Sequence, residues 1–513
     1  MLATFVIIAD LLQVIAAAGA TITTNASVEC YERARDYYPY LGTKTAYENV
    51  HGDVTRLGNS CTPAQLWMLS RHGARYPSGK LTSLMLNMTT LRDRILENHR
   101  RGAGHLCARD LDELRDWQLD PGLATENADA LAMQGESQMR ELAGRLKRAF
   151  GDLLDARSAK PEDFVFRATD TQRTQASMRA FRRSFLDAGE SLVRTEIPPV
   201  NDTLLLACLK KNLRLLPSCR RKSSVPRGRL ATRPSTCPPS ATGSPPVPRF
   251  EPCSGRSGAD LDSPRTWIFV SSPARSTRLR PRSTLDSPGL SATVESMYDA
   301  CRYETAWHPG RASAWCLVFR GDELKVLEYR GDLDYYYFCG PGRAMSAKLG
   351  CRPLSDMLGR FRALAGGNST NQPRGVFYFA HTVTLQTFMA ALQMTEDSRS
   401  LLASNYADVQ DRRYRTSLLG PFATNVLAVF YRCSESEKPY KVTIHTAEKL
   451  VQMAGCRNGL CDWDFLERKY TSPVEKCSMD FCYEEINAAS SETPIHSELS
   501  ALMILAFSAR LVL

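Results

Sequence analysis

Histidine is scarce in this sequence, with 8 residues among 513, and no two cysteines have the Cys-x-x-Cys spacing. Although the chain has 16 cysteines, the missing spacing excludes a zinc ribbon and a thioredoxin-like redox motif. Charged residues make up only 23% and hydrophobic residues 43%, which excludes wholesale disorder, collagen and a coiled coil. The length is enough for about three domains and a sizeable core. The composition is therefore that of an ordinary globular protein.

The number of cysteines also predicts a compartment, because disulfides persist in oxidising surroundings. Residues 1–20 form an apolar run that ends in small residues, as a signal peptide does. The alternative is an uncleaved membrane anchor, in which Asp10 would be costly. N-glycosylation sequons occur at Asn25, Asn87, Asn201 and Asn368. We predict a disulfide-bonded glycoprotein of the secretory pathway, located outside the cell, in the endoplasmic reticulum lumen or at the cell surface.

The C-terminal tail, residues 486–513, ends in an apolar stretch that contains Arg510. Small residues and a polar spacer precede this stretch, and together they are the parts of a glycolipid-anchor signal. The alternative is a packed or frayed C-terminal helix. Such an anchor is the one route to a membrane that we expect for the mature protein.

Disulfide pairing cannot be deduced from the sequence, although two pairs of cysteines would close short loops. These candidates are Cys456 with Cys461 and Cys477 with Cys482.

Positive charge is concentrated in one stretch of the chain. The net charge is +10, but residues 210–285 alone carry +13 and 12 of the 28 prolines, which leaves −3 for the rest. This stretch has no helical or strand periodicity and should not fold alone. We therefore interpret residues 209–290 as a non-globular Arg/Pro/Ser-rich segment, and we favour the hypothesis that it is coding sequence read out of frame or through an intron. The alternative is a genuine basic arm that binds a polyanion; for the protein as a whole we expect no nucleic-acid partner.

Polar residues follow three predicted strands at the point where each strand ends. The strand at 65–70 is followed by Arg-His-Gly-Ala-Arg-Tyr-Pro at 71–77, the strand at 163–168 by Thr-Asp-Thr-Gln-Arg-Thr, and the strand at 375–380 by His381. Ligands of open α/β sheets bind at the carboxyl ends of strands, so we expect these residues to meet.

The first of these motifs suits a compact anion such as phosphate. Two guanidinium groups, from Arg71 and Arg75, flank His72, and Gly73 allows close approach of the backbone. A chance match to Arg-His-Gly-x-Arg-x-Pro is on the order of one in ten thousand. Arg173 is predicted in the first turn of a helix, where it would point at an anion that the helix N-terminus attracts; the alternative is a solvated helix arginine.

Together these motifs resemble the histidine acid phosphatases, and more closely the multiple inositol polyphosphate phosphatases. The resemblance runs from about residue 30 to 208 and resumes from about 297 to 482, so we divide the phosphatase domain into residues 30–208 and 291–485. It implies a histidine-phosphatase-like α/β core with a helical cap domain, here disrupted by the basic segment. It also implies no metal and no cofactor, and hydrolysis of phosphomonoesters through a phosphohistidine. The expected partner is a phosphorylated small molecule, of the inositol hexakisphosphate class or 2,3-bisphosphoglycerate.

The resemblance also implies roles for single residues. His72 matches the nucleophile, and His381 matches a second catalytic histidine that contacts phosphate. The other phosphate-binding residues that it implies are Arg71, Arg75 and Arg173. Lys80 is a candidate contact for a neighbouring phosphate, with a flexible surface lysine as the alternative.

One position departs from the family pattern. The acid that protonates the leaving group is expected two residues after His381, where this sequence has Val383. Valine cannot donate a proton, and general acid catalysis typically contributes about 10²- to 10⁴-fold. The proton donor is therefore unknown, and we expect an impaired phosphatase. The alternatives are a phosphate-binding pseudophosphatase and a general secreted acid phosphatase.

Overall fold

A computed structural model describes most of the chain between residues 39 and 480. The described ranges are 39–54, 56–58, 60–102, 106–155, 160–186, 194–198, 202–205, 288–311, 313–368, 372–434 and 436–480. The predicted signal peptide, almost all of the basic segment and the predicted anchor signal lie outside these ranges, as do the sequons at Asn25 and Asn201. The side chains of Asn87 and Asn368, the acceptors of the other two sequons, are exposed. No helix within the described ranges is long and apolar enough to cross a membrane.

A mixed sheet forms the centre of the molecule. Its strands, in chain order, are β1 Cys61–Arg71, β2 Phe164–Ala168, β3 Arg194–Glu196, β4 Gly375–Ala380, β5 Asn425–Cys433, β6 Tyr440–Thr446, β7 Lys449–Leu450 and β8 Leu460–Asp462. The order across the sheet is β3-β2-β4-β1-β5-β6-β7, and β8 pairs with β6. The first four strands of this order run parallel to one another, and β5 joins β1 antiparallel. The three strands predicted from the sequence are therefore neighbours.

Helices cover both faces of the sheet. In chain order the helices are α1 Gly79–Leu86, α2 Met88–Arg100, α3 Ala108–Asp116, α4 Met133–Ala149, α5 Gln172–Leu186, α6 Pro288–Trp307, α7 Gly321–Phe338, α8 Met345–Leu349, α9 Cys351–Ala365, α10 Thr382–Ala391, α11 Thr416–Leu419 and α12 Trp463–Glu475. Successive side chains of a strand point to opposite faces. Leu66 and Met68 of β1 thus pack with α4 and α5, whereas Trp67 and Leu69 pack with α9, α10 and α12. This α/β core confirms the fold class predicted from the sequence.

A third apolar cluster lies among helices that do not cover the sheet. It contains residues of α1, α2, α3 and α6, and Trp117 meets Trp315 edge to face with ring centroids 5.2 Å apart. Trp307 of α6 reaches the core, because its indole nitrogen donates a hydrogen bond to the carbonyl oxygen of Arg75 at 3.1 Å. The helical part therefore borders the end of β1.

Disulfides tie distant elements together. Cys61 of β1 pairs with Cys433 of β5, and Cys456 pairs with Cys461 as predicted. The predicted pair of Cys477 with Cys482 is wrong, because Cys477 bonds to Cys351, 126 residues earlier in the chain. A pairing judged from loop length fails here because tertiary packing brings α9 to the end of α12.

Candidate active site

The carboxyl ends of three parallel strands meet at one place. Arg71, the last residue of β1, lies opposite Ala380 at the end of β4, and Ala168 of β2 lies opposite Phe379. The sheet pairing extends one step further, since the amide of His72 donates to the carbonyl oxygen of Ala380 at 3.1 Å. The structure therefore brings together the three motifs that the sequence separates by up to 310 residues.

His72 is held as a neutral imidazole with a defined tautomer. Its Nδ1 lies 2.8 Å from the carbonyl oxygen of Gly73. A carbonyl oxygen only accepts hydrogen bonds, so Nδ1 carries the proton and Nε2 keeps its lone pair. Burial, together with the positive charge of Arg71, lowers the pKa of His72 well below 6.5. The ring is therefore prepared to act as a nucleophile.

Close backbone packing fixes the loop that carries His72. A Cβ atom added at Gly73 would lie 2.3 Å from the carbonyl oxygen of Gly135 in α4, which only glycine avoids. The Gly73 amide also donates to the hydroxyl of Ser177 in α5 at 3.1 Å. Two helices thus set the position of the imidazole.

His381 lies beside His72, with ring centroids 5.8 Å apart. Its Nε2 is 3.0 Å from the hydroxyl of Thr169, which itself donates to the hydroxyl of Thr174. Because the Thr169 proton is engaged with Thr174, Thr169 accepts the proton of His381 Nε2. This chain of hydrogen bonds joins the end of β4 to the end of β2 and orients the second imidazole.

Arg71 is buried without a carboxylate partner in the described part of the chain. Its guanidinium donates to the backbone carbonyl oxygens of Thr43 and Gly420, both at 2.5 Å, and lies 4.3 Å from the ring centroid of Phe422. Burial, with a contribution from the charge of Arg75, lowers its pKa to about 9. Since a guanidinium stays protonated in proteins, the shift reports a positive charge that an anion would stabilise.

Arg75 and Arg173 share a different neighbour. Nη1 of Arg75 is 3.2 Å from Oδ1 of Asp129, and Nη1 of Arg173 is 3.8 Å from the same oxygen. Burial and the nearby charge of Arg75 lower the pKa of Arg173. We call Arg71, Arg75 and Arg173 the arginine cradle.

Several of these contacts were not predicted from the sequence. Thr43, Gly420 and Asp129 are far from the motifs along the chain, and no local pattern marks them. Lys44 is a further basic group, whose Nζ lies 5.8 Å from the ring centroid of Tyr303. Burial, with the charge of the neighbouring Arg302 second, lowers the pKa of Lys44 well below 10.5.

Two predicted positions lie at the edge of this arrangement. Lys80 is exposed near the start of α1, so a contact with a second phosphate stays a prediction. Val383 is half-buried in the first turn of α10 and presents no titratable group next to His381. Among the described residues, no group of three or more His, Cys, Asp or Glu side chains is arranged to hold a metal ion.

Comparison with known families gives a match over most of the described sheet. The family described as Histidine phosphatase superfamily (branch 2) matches residues 64–446, which include all three strand ends. The chain belongs to this family.

Relatives within the family have more specific names. Multiple inositol polyphosphate phosphatase 1 of Drosophila melanogaster is 29% identical over 460 residues, covering 86% of this chain and 87% of the relative. The protein of the same name from Homo sapiens is 24% identical, with the same shares covered.

Solved structures show the same fold. The phytase from D. castellii has a TM-score of 0.58 at 16% identity and covers 86% of this chain and 85% of its own. The Bifidobacterium longum multiple inositol polyphosphate phosphatase in complex with inositol hexasulfate has a TM-score of 0.55 at 14% identity and covers 84% and 97%.

Proposed function

We propose that this protein hydrolyses phosphomonoesters of the inositol polyphosphate class through a phosphohistidine on His72, with a turnover limited by Val383. The observation that carries the proposal is the fixed tautomer of His72, which leaves a nucleophilic Nε2 beside the arginine cradle. The names of the relatives support the choice of substrate class.

The charges of the cradle favour a phosphoryl group. Among the described residues, the hydrogen-bond partners of Arg71 are carbonyl oxygens alone, and the three guanidiniums repel one another. A phosphoryl group brings three equatorial oxygens that accept hydrogen bonds from such donors and gain negative charge at the transition state. The cradle therefore stabilises the transferring group more strongly than it stabilises any neutral ligand.

In the first step Nε2 of His72 attacks phosphorus, and the bond from phosphorus to the ester oxygen breaks. The ring becomes a phosphohistidine, and the Gly73 carbonyl holds its Nδ1 proton. The leaving alkoxide must take a proton, which Val383 cannot supply, so the proton comes from water. In the second step water adds to phosphorus, inorganic phosphate leaves, and His72 is regenerated.

The missing acid makes a sharp test possible. Val383→Glu should raise the turnover of inositol hexakisphosphate, by up to about 10²-fold, because a carboxyl group in the first turn of α10 can protonate the alkoxide. Turnover of p-nitrophenyl phosphate should change little, because p-nitrophenolate leaves without help. Val383→Gln is the matched control, with the same shape and no acidic proton. Equal turnover of inositol hexakisphosphate by the Glu and Gln variants would contradict the missing-acid argument.

A second function, a pseudophosphatase that binds phosphate without hydrolysing it, is favoured by the same valine. Brief incubation with radiolabelled p-nitrophenyl phosphate separates the two. An enzyme that passes through phosphohistidine acquires an acid-labile label that is lost in His72→Ala, whereas a pure binding protein acquires none. A general secreted acid phosphatase would instead hydrolyse many monoesters and show no preference for inositol polyphosphates.

We also propose that the protein resides in the secretory pathway. Described disulfides that bridge up to 372 residues support an oxidising compartment, and exposed sequons at Asn87 and Asn368 agree with it.

A further inference from the structure

We infer that Asp129 occupies the arginine cradle in the absence of substrate and competes there with the phosphoryl group. This inference rests on the proposed function, because it concerns the same phosphate site. It assigns to Asp129 a direct influence on the affinity for substrate and product, without a part in the chemical step.

The contact geometry carries the inference. A single oxygen of Asp129, Oδ1, lies between Nη1 of Arg75 and Nη1 of Arg173, at 3.2 and 3.8 Å. A phosphate oxygen that accepts hydrogen bonds from these two Nη1 groups needs this same position. Carboxylate and phosphoryl oxygens are alternative partners for a guanidinium, so both cannot hold these two donors at once.

The exposures show from which side Asp129 reaches the cradle. The side chains of Arg75 and Arg173 are only 17% and 22% exposed, whereas that of Asp129 is 45% exposed. Asp129 therefore lies nearer to solvent than the two arginines that it contacts. Its carboxylate can turn into water when a ligand arrives, because almost half of its surface is already hydrated.

The backbone of Asp129, in contrast, is fixed. Its amide donates to the carbonyl oxygen of Pro77 at 2.8 Å, and the Tyr76 amide donates to the carbonyl oxygen of Ala130 at 2.9 Å. Asp129 has a left-handed conformation with φ of 63°, which aspartate and asparagine tolerate better than most residues. Displacement of the carboxylate thus requires a change of side-chain rotamer and no movement of the loop.

The test measures the dissociation constant of inorganic phosphate by calorimetry, together with kcat and KM for p-nitrophenyl phosphate. Asp129→Asn keeps the size of the side chain and suits the left-handed backbone, and it removes the charge. Asp129→Gly also suits this backbone and provides a second variant. Ion pairs that are open to solvent on one side are weak, and Asp129 makes two of them, so phosphate should bind about two- to thirtyfold more tightly to both variants.

We expect KM to fall by a similar factor while kcat stays within about twofold. The difference in phosphate affinity between the Asp129 variants and the wild type should decrease as salt is added, because the competing contacts are electrostatic. Asp152→Asn is the matched control: it removes one carboxylate from an exposed ion pair with Arg56 and should leave the affinity for phosphate unchanged.

Other outcomes separate this inference from the proposed function. If the wild type binds phosphate and neither Asp129 variant binds it more tightly, the competition is disproved and the phosphate site stands. If no protein in the set binds phosphate, the proposed function fails. If Asp129→Asn loses turnover of inositol hexakisphosphate but keeps that of p-nitrophenyl phosphate, Asp129 is a proton donor and the inference is overturned.

Discussion

Arg71 bears a charge in a place where water reaches it poorly, and backbone oxygens rather than carboxylates hold it there. The two carbonyl contacts and the packing on Phe422 fix the guanidinium plane before any ligand binds. Such preorganised donors account for a large share of catalysis, because they need no rearrangement as charge develops.

Arg71→Ala should therefore lower kcat for p-nitrophenyl phosphate by about 10²- to 10³-fold, the usual cost of losing one such donor. Arg71→Lys should recover little of the lost kcat, because a lysine cannot donate in one plane to the carbonyl oxygens of Thr43 and Gly420 and to phosphate. Steady-state kinetics measure both, with Arg56→Ala as the surface control. A kcat within tenfold of wild type in Arg71→Ala would contradict this role.

The pH dependence of catalysis should follow the protonation of His72. Burial and the charges of Arg71 and Arg75 lower its pKa well below 6.5, so the neutral nucleophile persists as the pH falls below that value. In the pH profile of kcat/KM, which reports the free enzyme, we expect the acid limb to lie below pH 6.5. Arg75→Ala should move this limb to higher pH. If the acid limb of the wild-type profile lay above pH 6.5, the protonated form of His72 would not be destabilised and this argument would be wrong.

At the scale of single elements, β6 contains a second buried histidine that has no part in the site. His445 pairs with Leu427 of β5, and its Nδ1 has no hydrogen-bond partner among the residues that the structure describes. Burial lowers its pKa to about 4, against 6.5 when exposed. The unfolded chain therefore binds more protons than the folded one between these pH values, so stability is present above pH 6.5 and is lost as the pH falls towards 4.

From pH 7 to pH 4.5 this single histidine should remove about 2 kcal/mol from the free energy of unfolding. In His445→Gln the free energy of unfolding should fall by about that much less over the same pH range. Urea unfolding at both pH values measures this free energy for wild type and variant. His51→Gln controls for the removal of a histidine elsewhere. An identical pH response of wild type and His445→Gln would contradict the argument.

Short-range patterns were sufficient to predict the elements that position the site. An apolar run followed at once by polar residues marks the end of a buried strand, and it located β1, β2 and β4 together with His72 and His381. Asp129, Thr43 and Gly420 could not be found in this way, because they reach the cradle through loops whose course depends on the whole fold. The partner of Cys477 was predicted wrongly for the same reason, because disulfide pairing also depends on the whole fold.

At the scale of the whole molecule, the net charge of the chain does not predict its phosphate site. The net charge of +10 comes from residues 210–285, and the remainder carries −3. The positive groups that matter for phosphate are those of the arginine cradle, which lie at or just after the ends of β1 and β2.

The hypothesis of a misread coding segment predicts that natural protein yields no tryptic peptide from residues 210–285. Mass spectrometry of that protein, with sequencing of the transcript across the codons for 205–290 and 383, measures this directly. Peptides from the segment would disprove the hypothesis and favour the polyanion-binding arm, and deletion of 210–285 should then abolish retention on heparin.

The position of β1 has a consequence for synthesis of the protein. Leu66 pairs with Gly375, so the strand that ends at the nucleophile is made 309 residues before its first described sheet partner in β4. At a translation rate of about 5 to 20 residues per second, this apolar strand remains without that sheet partner for roughly 15 to 60 s. Catalytic competence therefore arises late in biogenesis, only after β4 has been made.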